Sequence, residues 1–225
     1  MLLQTIGDLL PAAVGVALSP VPIIAIILML GTPRARSTGL AFTAGWAVGL
    51  AVVITLVVVA VGAGKGDDAG PSTFVSWSKV AIGTLFLALA TKQWAGRPRE
   101  GEQVEAPRWM ATIDGLPAGR ALVLGAALSG VNPKNLALTF AAAASIADGA
   151  FSTGGNVVAA VVFVVIGSLT VAGPTFWYLI SPARAAKPLE ALKDFMSAHN
   201  HVIMMVVLLL LGVKLVGNGL AGLAT

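Results

Sequence analysis

No polar residue interrupts the run from Val202 to Leu211, and five further stretches of the chain are almost as apolar. Several of them approach or exceed the roughly 20 residues that a helix needs to cross the hydrocarbon layer of a bilayer. Lipid offers backbone N–H and C=O groups no partners, so a spanning segment must close its hydrogen bonds as a helix or within a closed barrel. Barrel strands alternate apolar and polar side chains, and these runs do not alternate. Composition agrees: 57% of the 225 residues are apolar and only 11% charged, whereas a soluble domain is about a quarter charged. Too few polar side chains exist to cover a water-facing surface. The expected fold class is an all-α integral membrane protein of six transmembrane helices, at about 8–31, 38–62, 74–95, 118–143, 154–180 and 200–221. Breaker residues mark the connections at Gly31 to Pro33, Gly64 to Pro71, Gly96 to Pro117, Asp148 to Gly155 and Ser181 to Pro188.

Charge gives the chain a direction. Ten basic residues fall in one set of loops: Arg34, Arg36, Lys92, Arg97, Arg99, Arg108, Arg120, Arg184, Lys187 and Lys193. The opposite loops hold only Lys65, while Lys79, Lys134 and Lys214 fall within helices or at their ends. Basic loops stay in the cytoplasm, so the expected arrangement is multi-pass with both termini outside. Orientation therefore explains the net charge of +4, and no nucleic-acid partner is expected. Trp77, Trp94, Trp177 and Tyr178 lie near helix ends, where aromatic belts form. Met1 to Leu10 carries Asp8 and no basic n-region, so the first apolar stretch is expected to be retained rather than cleaved as a signal. The segment 96–117 is the one long polar loop; it is expected to be a solvated linker, with Pro107 to Ile113 able to lie along the membrane surface.

The two halves of the chain resemble each other. Gly15-Val-Ala-Leu-Ser19-Pro20-Val21-Pro22 matches Gly125-Ala-Ala-Leu-Ser129-Gly130-Val131-Asn132-Pro133, and Ser37-Thr38-Gly39 matches Ser152-Thr153-Gly154. Lys79-Val80 to Lys92 shares its spacing with His201-Val202 to Lys214. Each half has three helices, an odd number, so the second must enter the membrane from the side opposite to the first. The expected organisation is a three-helix repeat over 1–95, a cytoplasmic loop over 96–117 and an inverted three-helix repeat over 118–225. In such arrangements paired broken helices frame a site at the bilayer midplane. Helices 1 and 4 are the ones expected to break, since Pro20, Pro22 and Pro133 each remove a helix donor.

Lys134 is the sharpest chemical signal. A charged residue deep in a spanning helix costs at least about 2.5–3.5 kcal/mol on insertion scales, and no Asp or Glu sits well inside any of the six stretches. Lys134 therefore meets backbone carbonyls and water, loses its proton, or binds an anion; the favoured reading is a carboxylate, phosphate or sulfate on the solute. Asn132, Pro133, Asn135, Ser129, Ser19, Pro20 and Pro22 flank the breaks and complete the expected substrate-binding set. Small residues at four-residue spacing, Ala41, Gly45 and Gly49 and then Ala121, Gly125 and Ser129, permit close helix contact. Catalysis is not expected. The chain has no cysteine, His199 and His201 stand two apart and point away from each other on a helix, and Gly-rich phosphate loops are absent. No cofactor and no metal are called for, and an ion or solute gradient or a partner must supply the energy.

The chain resembles the LysE transporter superfamily in Ser19-Pro20, in Arg36-x-x-Gly39-x-x-x-x-x-Gly45-x-x-x-Gly49 and in Asn132-Pro133-Lys134. Within it, the length, the long middle loop and Ser129-Gly-Val-Asn-Pro-Lys-Asn135 are most similar to the peptidoglycolipid- and sulfolipid-addressing proteins. The resemblance implies a bacterial inner-membrane exporter of an anionic envelope glycolipid, with Pro20, Asn132, Pro133 and Lys134 at the central site. Export of amino acids or other small solutes is the alternative within the same superfamily. An accessory subunit of a separate lipid exporter is another. The implied partners are membrane lipids and the anionic substrate, with a homo-oligomer or a partner exporter left open.

Overall fold

The computed structural model describes residues 2–63, 73–98, 110, 112–113, 115–148 and 153–224. These form helices α1 (Leu2–Ala17), α2 (Pro20–Leu30), α3 (Ala35–Ala63), α4 (Thr73–Ala95), α5 (Ala118–Gly130), α6 (Pro133–Asp148), α7 (Thr153–Ile180), α8 (Pro182–Ala198) and α9 (Asn200–Leu223). The described residues contain no strand. Lys65, Arg99, Arg108 and most of the stretch from Pro107 to Ile113 lie outside the described residues.

The expected first helix is α1 followed by α2, bent by 52° where Leu18 and Ser19 interrupt it. The expected fourth is α5 followed by α6, interrupted at Val131 and Asn132. Proline sets both restarts: Pro20 and Pro133 stand at the first helical position, where the missing N–H would have had no partner and the fixed φ suits a helix. Among the described residues, three segments are long and apolar enough to cross a membrane: Ala35–Ala60 of α3, Gly154–Ile180 of α7 and Asn200–Leu223 of α9. The bent α1–α2 pair makes a fourth when counted as one span.

The surface has the character of a lipid-facing one. Leu56, Val123, Leu210 and Ile180 are 64%, 64%, 66% and 83% exposed, whereas a soluble monomer rarely presents apolar side chains in contiguous patches of any size. Inside, Phe42, Trp46, Leu50 and Ile54 of α3 form the central column, with Phe163 of α7 and Ile23 and Ile26 of α2 also in the core. The Trp46 indole donates to the Gly167 carbonyl at 3.1 Å, and the Thr43 and Thr175 hydroxyls meet at 2.8 Å. Both ties join α3 to α7.

The most extensive pairings are α4 with α9 and α3 with α5. The small-residue faces read from the sequence lie in the second. A methyl group on Gly45 would strike the Leu122 backbone, one on Gly125 the Phe42 carbonyl, and one on Gly49 the Ser129 hydroxyl. Apolar packing provides little drive between helices in lipid, so association rests on close van der Waals contact of this kind.

One expectation needs correction. The segment from Ser181 to Pro188 is not an extended connection: after a break at Ser181 it forms the first turns of α8. Its stripe of Ala185, Leu189, Leu192 and Met196, spaced by three and four, packs on the core, while Arg184, Lys187, Glu190 and Asp194 are exposed. Such a helix lacks an apolar run of spanning length, so a search for long runs passes over it. Asp8 lies midway along α1, where its backbone carbonyl accepts from the Lys214 ammonium at 3.0 Å.

Candidate functional site

An α-helix that stops inside a bundle leaves its last four carbonyls without helical partners. At the end of α1 each of the four has found one. The Val14 carbonyl accepts from the Leu18 N–H at 2.8 Å. Gly15 accepts from the Lys134 ammonium at 2.8 Å, and Val16 from the Ser19 hydroxyl at 2.7 Å. Ala17 accepts from the Thr170 hydroxyl of α7 at 2.6 Å and from the Ser19 N–H at 2.9 Å. The cation stands at the negative end of the α1 dipole, where a positive charge is stabilised.

The second interruption is built by different means. Asn132 is the N-cap of α6: its Oδ1 accepts from the Lys134 N–H at 3.0 Å, the bond through which a cap side chain satisfies an early helix donor. The Asn135 amide reaches back to the Leu128 carbonyl near the end of α5 at 3.0 Å. Ser129 donates to Ala126, three residues back, as Ser19 does to Val16.

Lys134 and Ser19 join the two breaks. The Lys134 ammonium donates to Ser19 Oγ at 2.7 Å, and Asn135 Oδ1 lies 3.4 Å from the same oxygen. A hydroxyl carries one hydrogen, and the shorter bond to Val16 holds it. Lys134 is 8% exposed and does not snorkel; Ser19 is 3% and Asn135 0% exposed. Hydrogen bonds to a charged group contribute about 1.5–3 kcal/mol each. Two of them are of the same order as the insertion cost of about 2.5–3.5 kcal/mol, and both partners are uncharged. Lys134 does contact a backbone carbonyl, that of Gly15. Gly15 and Ser19 use two of its three hydrogens.

The structure thus brings Lys134, Ser19 and Asn135 together. Asn132 and Pro133 set the start of α6, with Pro133 on the surface, and Pro20 and Pro22 are buried at the start of α2. Ser129 is buried too, but its hydroxyl packs over Gly49 of α3. The Gly15 carbonyl and Thr170 went unread in the sequence. A carbonyl carries no residue-type signal, and one Thr in an apolar helix is ordinarily taken as bonded within that helix.

Chemically, the arrangement presents one buried lysine and a set of exchangeable polar partners in an apolar bundle. No group of three or more His, Cys, Asp or Glu able to hold a metal occurs among the described residues. Fold and site together define a helical membrane protein whose interrupted helices meet around one buried ammonium. Residues 9–221 match the family described as Sap, sulfolipid-1-addressing protein, and the chain belongs to that family. No curated protein and no solved structure matches it.

Proposed function

We propose that this protein is a carrier, not an enzyme, that moves an anionic envelope lipid across the bacterial inner membrane, with Lys134 as the charge that engages the headgroup. The observation that carries this reading is the Lys134 ammonium at the junction of the two breaks, held by the Gly15 carbonyl and the Ser19 hydroxyl rather than by a carboxylate. The family takes its name from a sulfolipid, and a sulfate has the charge and the acceptor oxygens to replace neutral partners. An arriving anion takes the hydrogens that Gly15 and Ser19 now accept, since charge-assisted bonds are roughly twice as strong as neutral ones. The half-helix end of α1 then loses one of its caps, which links occupancy to the geometry of the break.

Six spans in two inverted three-helix repeats, 1–95 and 118–225, suit this mechanism, because alternating access in such folds is a rocking of one repeat against the other. The shared Ser-to-carbonyl bonds at Ser19 and Ser129 support the repeat, as does the resemblance to the LysE superfamily. Positive-inside orientation puts Arg34, Arg36, Lys92, Arg97, Arg120 and the Arg184 and Lys187 side chains of α8 in the cytoplasm, with both termini outside.

The test is the surface glycolipid profile of a host strain lacking this gene. Loss of one anionic glycolipid from the surface, with its accumulation inside, is the expected result. An unchanged profile rejects the reading, and accumulation of an amino acid instead supports a small-solute exporter.

A further inference from the structure

The face of α6 that bears Lys134 continues, in steps of four, three and four residues, through Leu138, Ala141 and Ser145. Those three residues line a small recess of about 20 Å³ that opens to the surface. The face of α1 that bears Gly15 leads the same way, to Asp8 at the rim, and Lys79 of α4 and Lys214 of α9 complete the wall. The recess therefore lies at the end of the bundle opposite the cluster of arginines, one helical turn beyond the junction of the breaks. What separates it from Lys134 is a pair of leucines. A methyl carbon built on Gly15 would lie 3.1 Å from Leu138 Cδ1 and 2.5 Å from Leu211 Cδ1, so both side chains rest on the residue whose carbonyl Lys134 holds. Both are nearly fully buried and both form part of the recess.

We propose that this recess is a second station for the same anionic group, entered from Lys134 when Leu138 and Leu211 part, with Lys79 and Lys214 as its cations. The inference rests on the carrier reading above. Two lysines against one aspartate give the recess a net positive character. Lys214 already donates to the Asp8 backbone carbonyl, and the Asp8 carboxylate opposes any anion that enters. A station of this kind attracts the group without trapping it, which transport requires. The occupant is a sulfate, phosphate or carboxylate, whether on a lipid headgroup or free.

The chain has no cysteine, so a single introduced thiol reports on this space alone. In Ser145→Cys protein reconstituted in vesicles, an anionic methanethiosulfonate reagent is expected to react about tenfold faster than a cationic one of the same size, as a focused positive field favours anions. Lys79→Gln with Lys214→Gln should erase that preference. Protection by inorganic sulfate identifies a free anion as a competent occupant, and protection by sulfated glycolipid alone identifies the headgroup; either supports the proposal. Equal or faster reaction with the cationic reagent, or no protection by either anion, overturns it. Asn218→Cys on the exposed rim repeats the measurement should Ser145→Cys fold poorly. Adding Lys134→Gln separates the two ideas. A lost preference with transport still dependent on Lys134 rejects the recess only, whereas an intact preference with transport indifferent to Lys134 rejects the carrier reading.

Discussion

The Lys134 ammonium of α6 donates to the Gly15 carbonyl of α1 at 2.8 Å, across 119 residues of sequence. This bond caps a helix that ends inside the bundle and places a cation where a second interruption begins. Neutralising the lysine should separate stability from function. In Lys134→Met the ammonium bonds to Gly15 and Ser19 are lost, but so is the insertion cost of the charge. Two bonds of about 1.5–3 kcal/mol each against about 2.5–3.5 kcal/mol leave a change between a gain of about 0.5 and a loss of about 3.5 kcal/mol. The expected outcome in detergent is a folded protein, slightly easier to unfold, that moves no lipid.

Thr170 caps the neighbouring carbonyl, that of Ala17, from α7. Thr170→Val keeps the shape and removes the donor, which should destabilise by about 1 kcal/mol, the usual net worth of one hydrogen bond. Thr170→Ser should restore most of that. Chemical unfolding in mixed micelles reads both, and equal stability of all three proteins would show that the cap contributes nothing.

Asn132 opens α6 through its bond to the Lys134 N–H. Asn132→Ala should cost about 1 kcal/mol, as loss of an N-cap does, and should lower transport by misplacing Lys134. Asn132→Ser should recover stability and activity together. The comparison needs unfolding curves and lipid flux on the same preparations.

The glycine seam between α3 and α5 gives a prediction with an internal control. Gly45→Ala and Gly125→Ala press a methyl group into backbone atoms of the partner helix, which cannot turn aside as a side chain can. Overpacking costs about 1–3 kcal/mol, and these two should fall at the upper end. A methyl on Gly7 or Gly173 meets nothing within 4 Å, so Gly7→Ala and Gly173→Ala should leave stability unchanged or raise it by up to about 1 kcal/mol through helix propensity. Thermal melting of the four variants decides it.

The positions of the helices were legible because lipid imposes one local rule, an unbroken apolar run. The breaks were legible because Pro20 and Pro133 mark a missing donor. Neighbours across the bundle were not. Ser19 and Ser129 each bond to the residue three before it, yet Ser129 faces Gly49 while Ser19 faces Lys134. Which side of a helix meets which partner is decided by tertiary packing, on which a repeat within one chain is silent. Helix α8 escaped for a related reason. Its stripe from Ala185 to Met196 buries one face only and never amounts to a spanning run.

Flux of a labelled sulfated glycolipid between leaflets of vesicles containing only this purified protein is the most direct measurement. Wild type should move the lipid unaided, Lys134→Gln should not, and Thr170→Val, a modest loss of stability without loss of charge, should retain most of the rate. Equal flux through wild type and Lys134→Gln would contradict the role given to the ammonium, and no flux through the wild-type protein would make it a subunit of some other exporter.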